Sequence, residues 1–249
     1  MNKQLTVFDG RFQHPFNCIV AGPSQSGKST FVKNLLNNND VLITNIFEYV
    51  VLVSGPKIKK DGVFSLLVDV LKEKLIVIEI DSIYSSQKQF EDEFPNYLRT
   101  FLQEKKSIPG CIIFDDLMSR LAKCDLLVTL FTEISSHFNV SIIHITQNLF
   151  YSVGGRNASV HTTLYSNTHY LILFKNLMDN RILSTVSRRL GSTSQKINQI
   201  MQLMDDIVTQ FRYVIIHGRL SGPKLLKFTS DIFNQCPIPF QRDFNNVNE

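Results

Sequence analysis

Residues 22–29 read Gly-Pro-Ser-Gln-Ser-Gly-Lys-Ser, and this short segment constrains the fold more than any other part of the chain. It follows the apolar run PFNCIVA at 15–21, which favours a buried strand, and it precedes Val32, Leu35 and Leu36, which recur at helical spacing. The pattern G-x-x-x-x-G-K-[ST] between a strand and a helix is that of a phosphate-binding loop. The alternative is a chance glycine-rich turn, which does not require that context. We therefore expect a P-loop nucleotide-binding protein.

Each part of this loop has a chemical role in holding a triphosphate. Glycines let successive backbone N–H groups point at phosphate oxygens, and the following helix adds the positive end of its dipole. We expect Lys28 to be exposed to the β- and γ-phosphates rather than packed, and Ser29 to offer its hydroxyl to Mg²⁺. The predicted ATP-binding residues are Gly22, Pro23, Ser24, Gln25, Ser26, Gly27, Lys28, Ser29 and Thr30.

Apolar runs alternate with helical patterns along the chain. Strands that are apolar throughout are buried on both faces, which is typical of a mostly parallel central sheet flanked by helices. The predicted strands are 15–21, 49–55, 75–80, 111–116, 140–147 and 169–175, and the predicted helices are 28–36, 63–71, 85–106, 117–136, 179–190 and 197–208. Residues 211–218 and 224–230 are predicted to form a C-terminal β-hairpin. We interpret 1–249 as a single α/β domain, with a core at about 12–190 and a C-terminal helix and hairpin extension at 191–235.

The run CIIFDD at 111–116 delivers two carboxylates to the end of a buried strand. Asp115 is the natural Mg²⁺ ligand, through the water shell of the ion. Asp116 could then act as the general base for the attacking water. The alternative is an aspartate that only caps the next helix.

Gln147 directly follows the apolar strand 140–146. If that strand lies between the phosphate-loop strand and the acidic strand, its terminal polar residue faces the γ-phosphate and can orient the lytic water. Taken alone, Gln147 could equally start a loop. Combined with the phosphate loop and the paired aspartates, it describes the additional-strand class of P-loop NTPases, which includes RecA-like motors.

Composition excludes several other classes of protein. With 43% hydrophobic and 19% charged residues the chain is not disordered. The net charge is +4, and residues 181–249 carry 9 basic against 5 acidic side chains, which either contact DNA phosphates or form a solvated surface. The four cysteines and six histidines lack metal-ligand spacing. We find no signal peptide or membrane span and expect an intracellular protein.

Several segments together resemble one family. They are HPFNCIVAGPSQSGKSTFVKNLL (14–36), IIFDDLM (112–118), ITQNLF (145–150), NTHYLILFKN (167–176) and SRRL (187–190). In this order they are similar to viral DNA-packaging ATPases of the FtsK-HerA superfamily, of the Polinton, adintovirus and virophage type, which are related to the poxvirus-type packaging ATPase. The resemblance runs from about Phe12 to Leu190.

This resemblance implies a RecA-like ATPase that forms a homo-oligomeric ring, a pentamer or hexamer. It implies ATP and Mg²⁺ as cofactors, and double-stranded DNA bound without sequence specificity and moved into the capsid through its vertex. It implies no membrane partner, and a location in the nucleus or cytoplasm of the infected host or in the virion. The family's nucleotide site falls on Lys28, Ser29, Asp115, Asp116 and Gln147.

The arginine that acts on the neighbouring subunit's nucleotide is assigned from the same resemblance. Arg188 matches the family's arginine and is the first choice, and Arg156 is the second. The chain departs from the family where Thr162-Thr163 replaces an Arg-Thr pair, where Arg188-Arg189 replaces Arg-Gln, and where Asp116 stands in place of the glutamate of many members.

Two other functions fit a phosphate loop. A P-loop kinase of a small molecule would need an arginine-rich lid and an acceptor pocket, and neither is recognisable in the sequence. A nucleotide-dependent scaffold would bind ATP with little turnover. The packaging ATPase is preferred because it accounts for all the motifs at once.

Overall fold

In the part of the chain that the structure describes, nine strands form one sheet in the order β3-β2-β4-β5-β1-β6-β7-β8-β9. The computed structural model describes residues 10–55, 62–115, 117–121, 124–149, 163–174, 213–218, 228–230, 232–233 and 238–239. The strands are β1 Asn17–Ala21, β2 Tyr49–Ser54, β3 Leu75–Glu79, β4 Gly110–Asp115, β5 Val140–Thr146, β6 Tyr170–Phe174, β7 Tyr213–His217, β8 Phe228–Ser230 and β9 Ile238–Pro239.

The first six strands of this sheet are parallel to one another, and β7, β8 and β9 are added antiparallel beside β6. The six strands of the parallel part and the hairpin of β7 and β8 were all predicted from the sequence. The strand β5 lies between β4 and β1, which is the order under which Gln147 is expected to face the γ-phosphate. The predicted fold class, a RecA-like P-loop NTPase of the additional-strand type, is confirmed.

Helices connect the parallel strands, as expected for a sheet of this kind. Their bounds are α1 Lys28–Asn37, α2 Asn39–Leu42, α3 Gly62–Leu71, α4 Ile80–Ile83, α5 Gln87–Glu104, α6 Met118–Leu121, α7 Leu126–Thr129, a π-helix Leu130–Ile134 and α8 Ser135–His137. The predicted helices 28–36, 63–71 and 85–106 are confirmed as α1, α3 and α5. The helices predicted at 179–190 and 197–208 lie outside the described residues.

The prediction of one amphipathic helix over 117–136 is wrong. The helix α6 ends at Leu121, and a second helical stretch begins with α7 after Asp125, which takes the N-cap position. Aspartate favours helix ends because its short side chain competes for backbone hydrogen bonds inside a helix. The periodicity of apolar residues continues across the break, so the hydrophobic pattern alone did not reveal it.

Each face of the sheet is covered by its own layer of helices. The helices α1 and α3 pack on one face, here called the α1 face, and α5, α6, α7 and the π-helix pack on the other, the α5 face. Side chains alternate between the two faces along every strand. On β5, for example, Ile143 belongs to the α1 face and Ile142 to the α5 face. Burial on both faces explains why the strands are apolar throughout.

Polar side chains join β1 to distant parts of the chain at the edge where the parallel strands begin. The ring nitrogens of His14 lie 2.7 Å from Ser141 Oγ and 3.0 Å from Asn139 Oδ1. The Asn17 side-chain amide donates to the carbonyl oxygens of Phe131 at 2.8 Å and Asn167 at 2.9 Å. His14 therefore has a structural role at the edge opposite the phosphate loop.

None of the described helices is long and apolar enough to cross a membrane. Cys18 and Cys111 are buried free thiols within strands, as their apolar surroundings predicted. The division of the chain into a core and an extension at 191–235 stays a prediction, because most of that extension lies outside the described residues.

Candidate nucleotide-binding site

The C-terminal ends of three neighbouring parallel strands bring the predicted site residues to one edge of the sheet. Ala21, the last residue of β1, is in register with Thr146 of β5. Asp115, the last residue of β4, is in register with Ile145 of the same strand. The phosphate loop, Asp115 and Gln147 therefore leave the sheet side by side. In open parallel sheets, ligands bind at this edge.

The phosphate loop turns sharply between β1 and α1. The Gly22 amide donates to the Thr146 carbonyl at 3.3 Å, and the Ser26 amide donates to the Pro23 carbonyl at 3.3 Å. Gln25 has a φ of 61° and Gly27 a φ of 99°, both in the left-handed region. Gly27 is the residue just before α1, so the loop reaches the helix N-terminus through a conformation that glycine adopts at little cost.

The Lys28 side chain was expected to be exposed, but it is buried. It is only 8% exposed, and its ammonium donates to the carbonyl oxygens of Gly22 at 2.8 Å and Pro23 at 2.6 Å. The loop carbonyls supply the hydrogen bonds that a buried ammonium requires. Lys28 therefore lies across its own loop, with its charge inside the curve where a phosphate would bind.

Ser26 gives a direct test of whether the loop fits a phosphate. Its hydroxyl oxygen is buried and has no hydrogen-bond partner among the residues that the structure describes. Buried hydroxyls without a partner are unfavourable, and a phosphate oxygen would satisfy this one. Together with the lysine and the helix N-terminus, this makes the loop a good fit for the phosphates of ATP.

Asp115 occupies the position expected of a magnesium ligand. It is half-buried at the end of β4 and alternates onto the α1 face, as does Ile113 two residues earlier. The helix α1 carries Ser29 in its first turn on that same side of the sheet. A magnesium ion that also binds phosphates needs only one or two protein ligands, so this donor set fits it. The described part of the chain contains no group of three or more His, Cys, Asp or Glu side chains that could hold a metal.

Three of the predicted catalytic residues, Asp116, Arg156 and Arg188, fall outside the described residues. Asp116 directly follows the described Asp115 in the chain. Gln147 is described, exposed, and directly follows β5. Lys28, Asp115 and Gln147 all lie at the edge of the sheet where the parallel strands end, and their catalytic and metal-binding roles stay predictions.

Sequence reasoning missed the residues that support the turn after β5. The Thr146 hydroxyl donates to the Asn148 carbonyl at 3.0 Å, and the Tyr165 hydroxyl donates to the Leu149 carbonyl. These contacts join residues brought together by folding, and no motif signals them. The apolar context of ITQNLF indicated a strand end and a turn, but not the side chains that hold the turn.

An arginine lies at the same edge and is already paired. Arg120 of α6 forms an ion pair with Asp81 in α4, and its guanidinium lies 5.9 Å from the centre of the Phe90 ring. Its carbonyl oxygen also accepts a hydrogen bond from the Gln87 side chain at 3.0 Å. The helix α6 directly follows the acidic strand. The contacts of Arg120 connect α6 to α4 and α5.

His144 lies on β5, the strand between the phosphate-loop strand and the acidic strand. It is buried on β5, and burial lowers its pKa from 6.5 to about 4. Its strand neighbours in register are Ile19 and Phe114. His144 is therefore uncharged at neutral pH.

Comparison with known proteins agrees with this geometry. A family model described as poxvirus A32 protein matches residues 8–221. The chain belongs to the poxvirus A32 protein family. The family resemblance drawn from the sequence, to viral packaging ATPases of the FtsK-HerA type, is thereby confirmed. A search of curated proteins found no match.

Several solved structures are similar at low sequence identity. The genome packaging NTPase B204 from Sulfolobus turreted icosahedral virus 2, in complex with ATP-gammaS, is 12% identical with a TM-score of 0.48, over 82% of this chain and 92% of that one. EssC (ATPases 2 and 3) from Geobacillus thermodenitrificans is 10% identical with a TM-score of 0.43, over 63% and 31%. The assembled ATPase EscN from the enteropathogenic E. coli type III secretion system is 13% identical with a TM-score of 0.42, over 65% and 43%.

Proposed function

We propose that this chain is the ATP-hydrolysing motor that moves viral double-stranded DNA into the capsid. One observation carries the proposal: in a chain of the poxvirus A32 protein family, the strand that Gln147 directly follows lies between the phosphate-loop strand and the acidic strand. That order brings a charged loop, a carboxylate and an amide to a common edge, which is what phosphoryl transfer to water requires.

Binding of ATP is assigned to the phosphate loop. The Ser26 hydroxyl and the loop amides would contact phosphate oxygens, and Lys28 would neutralise charge on the β- and γ-phosphates. To do so, the Lys28 ammonium exchanges its hydrogen bonds with the Gly22 and Pro23 carbonyls for phosphate oxygens. Ser29 and Asp115 would hold Mg²⁺, which when bound withdraws charge from the phosphates.

Hydrolysis is assigned to residues on the other two strands. Asp116 would accept a proton from the attacking water, and Gln147 would orient that water. Arg188, with Arg156 as the second choice, would act on the nucleotide of the neighbouring subunit. Such an arginine stabilises charge on the γ-phosphate and couples hydrolysis between sites.

The partners follow from this role. A homo-oligomeric ring, a pentamer or hexamer, would surround duplex DNA and contact its phosphates without reading its sequence. The ring would dock on the capsid vertex in the infected host cell. The excess of basic over acidic residues in 181–249 supports a phosphate-contacting role for that part of the chain.

The test measures ATP hydrolysis by the full chain with and without long duplex DNA. We expect DNA to raise the rate, and Lys28→Ala to abolish hydrolysis with and without DNA. Lys88→Ala, which removes an exposed lysine from α5, is the matched control and should behave as the wild type. Stimulation by a small phosphate acceptor in place of DNA would support a kinase. Tight ATP binding without turnover would support a nucleotide-dependent scaffold.

DNA binding supplies a second readout. We expect the affinity for duplex DNA to be insensitive to sequence and to fall steeply with salt, because the contacts are to phosphates. A defined consensus sequence from a binding selection would contradict a packaging motor.

A further inference from the structure

We propose that Tyr165 is a positioning residue for Gln147, acting through the backbone of the turn that follows β5. The turn consists of residues 147–149, and Tyr165 lies 16 residues further along the chain than Leu149. This inference rests on the proposed function, because it assigns Gln147 to the orientation of the lytic water.

Two hydroxyl groups hold the carbonyl oxygens of this turn. The Thr146 hydroxyl donates to the Asn148 carbonyl at 3.0 Å, and the Tyr165 hydroxyl donates to the Leu149 carbonyl. The Leu149 side chain is buried in the core of the α5 face, whereas Gln147 is exposed. The backbone is thus fixed on the C-terminal side of an exposed glutamine, which limits where its amide can point.

On the other side of Gln147 the chain is fixed to the phosphate loop. The carbonyl of Thr146 accepts a hydrogen bond from the Gly22 amide at 3.3 Å. Gln147 therefore lies between one contact with the phosphate loop and one contact with Tyr165. Loss of the Tyr165 contact would remove one of the restraints on the backbone that follows Gln147.

Core packing and hydrogen bonds hold Tyr165 and its segment in place. Its ring packs against the core of the α5 face, beside the buried Leu164. The segment that carries it is held at 2.9 Å by the Asn17 amide, which donates to the Asn167 carbonyl, and the Thr168 hydroxyl donates to the Leu164 carbonyl at 2.8 Å. Because Asn17 is the first residue of β1, Tyr165 is anchored to the same strand that leads into the phosphate loop.

The first experiment compares Tyr165→Phe with the wild type. The substitution removes one hydroxyl and keeps the ring in the core. We expect kcat for ATP hydrolysis to fall about tenfold, since small displacements of positioned groups cost up to about a hundredfold in rate. The KM for ATP and the affinity for the fluorescent analogue mant-ATP should stay unchanged, because the phosphate loop is intact. Tyr97→Phe, at an exposed tyrosine of α5, is the matched control and should leave kcat unchanged.

A double-mutant cycle separates positioning from general stability. In a Gln147→Ala background, measured by single-turnover hydrolysis, Tyr165→Phe should cause no further loss, because the residue that it positions is absent. A structural role alone would lower the melting temperature in both backgrounds and leave kcat unchanged, or reduce kcat equally in both. Either result would overturn the inference.

Thr146→Val provides a second variant in case Tyr165→Phe does not fold. It removes the other hydroxyl that holds the turn, and its effect on kcat should likewise disappear in the Gln147→Ala background. An active wild type whose kcat is unaffected by both substitutions would overturn this inference and leave the proposed function standing. A wild-type chain that binds mant-ATP but does not hydrolyse ATP would overturn both.

Discussion

Gly22 lies so close to Phe174 that a Cβ atom added to Gly22 would be 2.5 Å from the Phe174 Cβ. The contact arises because β6 is the direct neighbour of β1, with Ala21 in register with Leu173. The same added atom would be 3.0 Å from the hydroxyl oxygen of Ser26. The first residue of the phosphate loop therefore has to be glycine for steric reasons, before any phosphate is considered.

Replacement of this glycine should damage both the fold and the site. We expect Gly22→Ala to lower the free energy of unfolding by about 1–3 kcal/mol, as overpacking commonly does. It should also weaken ATP binding, because the loop must move away from β6. Thermal unfolding and mant-ATP titration measure the two effects. Gly55→Ala is the control: its nearest atom would be Asp81 Oδ2 at 3.5 Å, an ordinary contact, and it should change neither quantity.

The two aspartates after β4 should separate metal binding from hydrolysis. We expect Asp116→Asn to retain Mg²⁺-dependent ATP binding and to hydrolyse ATP at least about a hundredfold more slowly, because an amide cannot accept a proton from water. Asp115→Asn should instead raise the Mg²⁺ concentration needed for activity. Asp92→Asn, at an exposed position on α5, is the control. If Asp115→Asn spares the metal dependence and Asp116→Asn removes it, the two roles are reversed.

The strand order and the position of Lys28 show what the sequence alone predicts of the nucleotide site and what it does not. The order β4-β5-β1 was expected from the combination of the phosphate loop, the paired aspartates and Gln147 after an apolar strand, since Gln147 alone could equally start a loop. The burial of Lys28 could not be predicted, because it depends on the curvature of the loop and on the Gly22 and Pro23 carbonyls. Motifs identify which groups perform chemistry, but not where those groups lie before the substrate binds.

Stability should decrease in mild acid because of buried histidines. Burial lowers the pKa of both His144 and His217 from 6.5 to about 4. Between these values the unfolded chain binds protons that the native state excludes, so the free energy of unfolding falls as the pH decreases through 6.5 towards 4. The slope is about 1.4 kcal/mol per pH unit for each histidine.

His144→Leu tests this directly. The His144 Nδ1 atom is buried without a hydrogen-bond partner in the described residues, so its removal should not reduce stability at pH 7. Urea unfolding between pH 6.5 and 5 should show a smaller pH dependence than in the wild type. His137→Gln, at an exposed histidine, should retain the full dependence. If the free energy of unfolding of His144→Leu depends on pH as steeply as that of the wild type, His144 does not cause the loss of stability in acid.

Subunit mixing tests the arginine that acts in trans. Arg188→Ala and Lys28→Ala subunits should each be inactive alone. Mixed rings contain some interfaces with an intact phosphate loop and an intact arginine, so partial ATPase activity should return, while native mass spectrometry confirms that mixed rings form. If mixing restores no activity but a mixture made with Arg156→Ala does, Arg156 is the acting residue.

The packing of the helical layer was less predictable than the sheet. The carbonyl of Arg120 in α6 accepts a hydrogen bond from Gln87, and Asp125 takes the N-cap position of α7, whereas the spacing of apolar residues continues across both helices. Likewise, the bonds from His14 to Ser141 and from Asn17 to Phe131 join residues more than a hundred positions apart. Such polar contacts are set by three-dimensional proximity, and a single sequence carries no signal for them.

The pairing of β1 also has a consequence for synthesis on the ribosome. Asn17 pairs with Ile142, 125 residues later, and Cys18 pairs with Tyr170, 152 residues later. Contacts over such distances form slowly, and a growing chain folds from its N-terminal end as it emerges. The phosphate-loop strand is made before every other strand of the sheet but must wait for β5 and β6 before it has a neighbour. A nascent chain that ends before Tyr170 therefore carries the complete phosphate-loop sequence without both of the strands that flank β1 in the folded sheet.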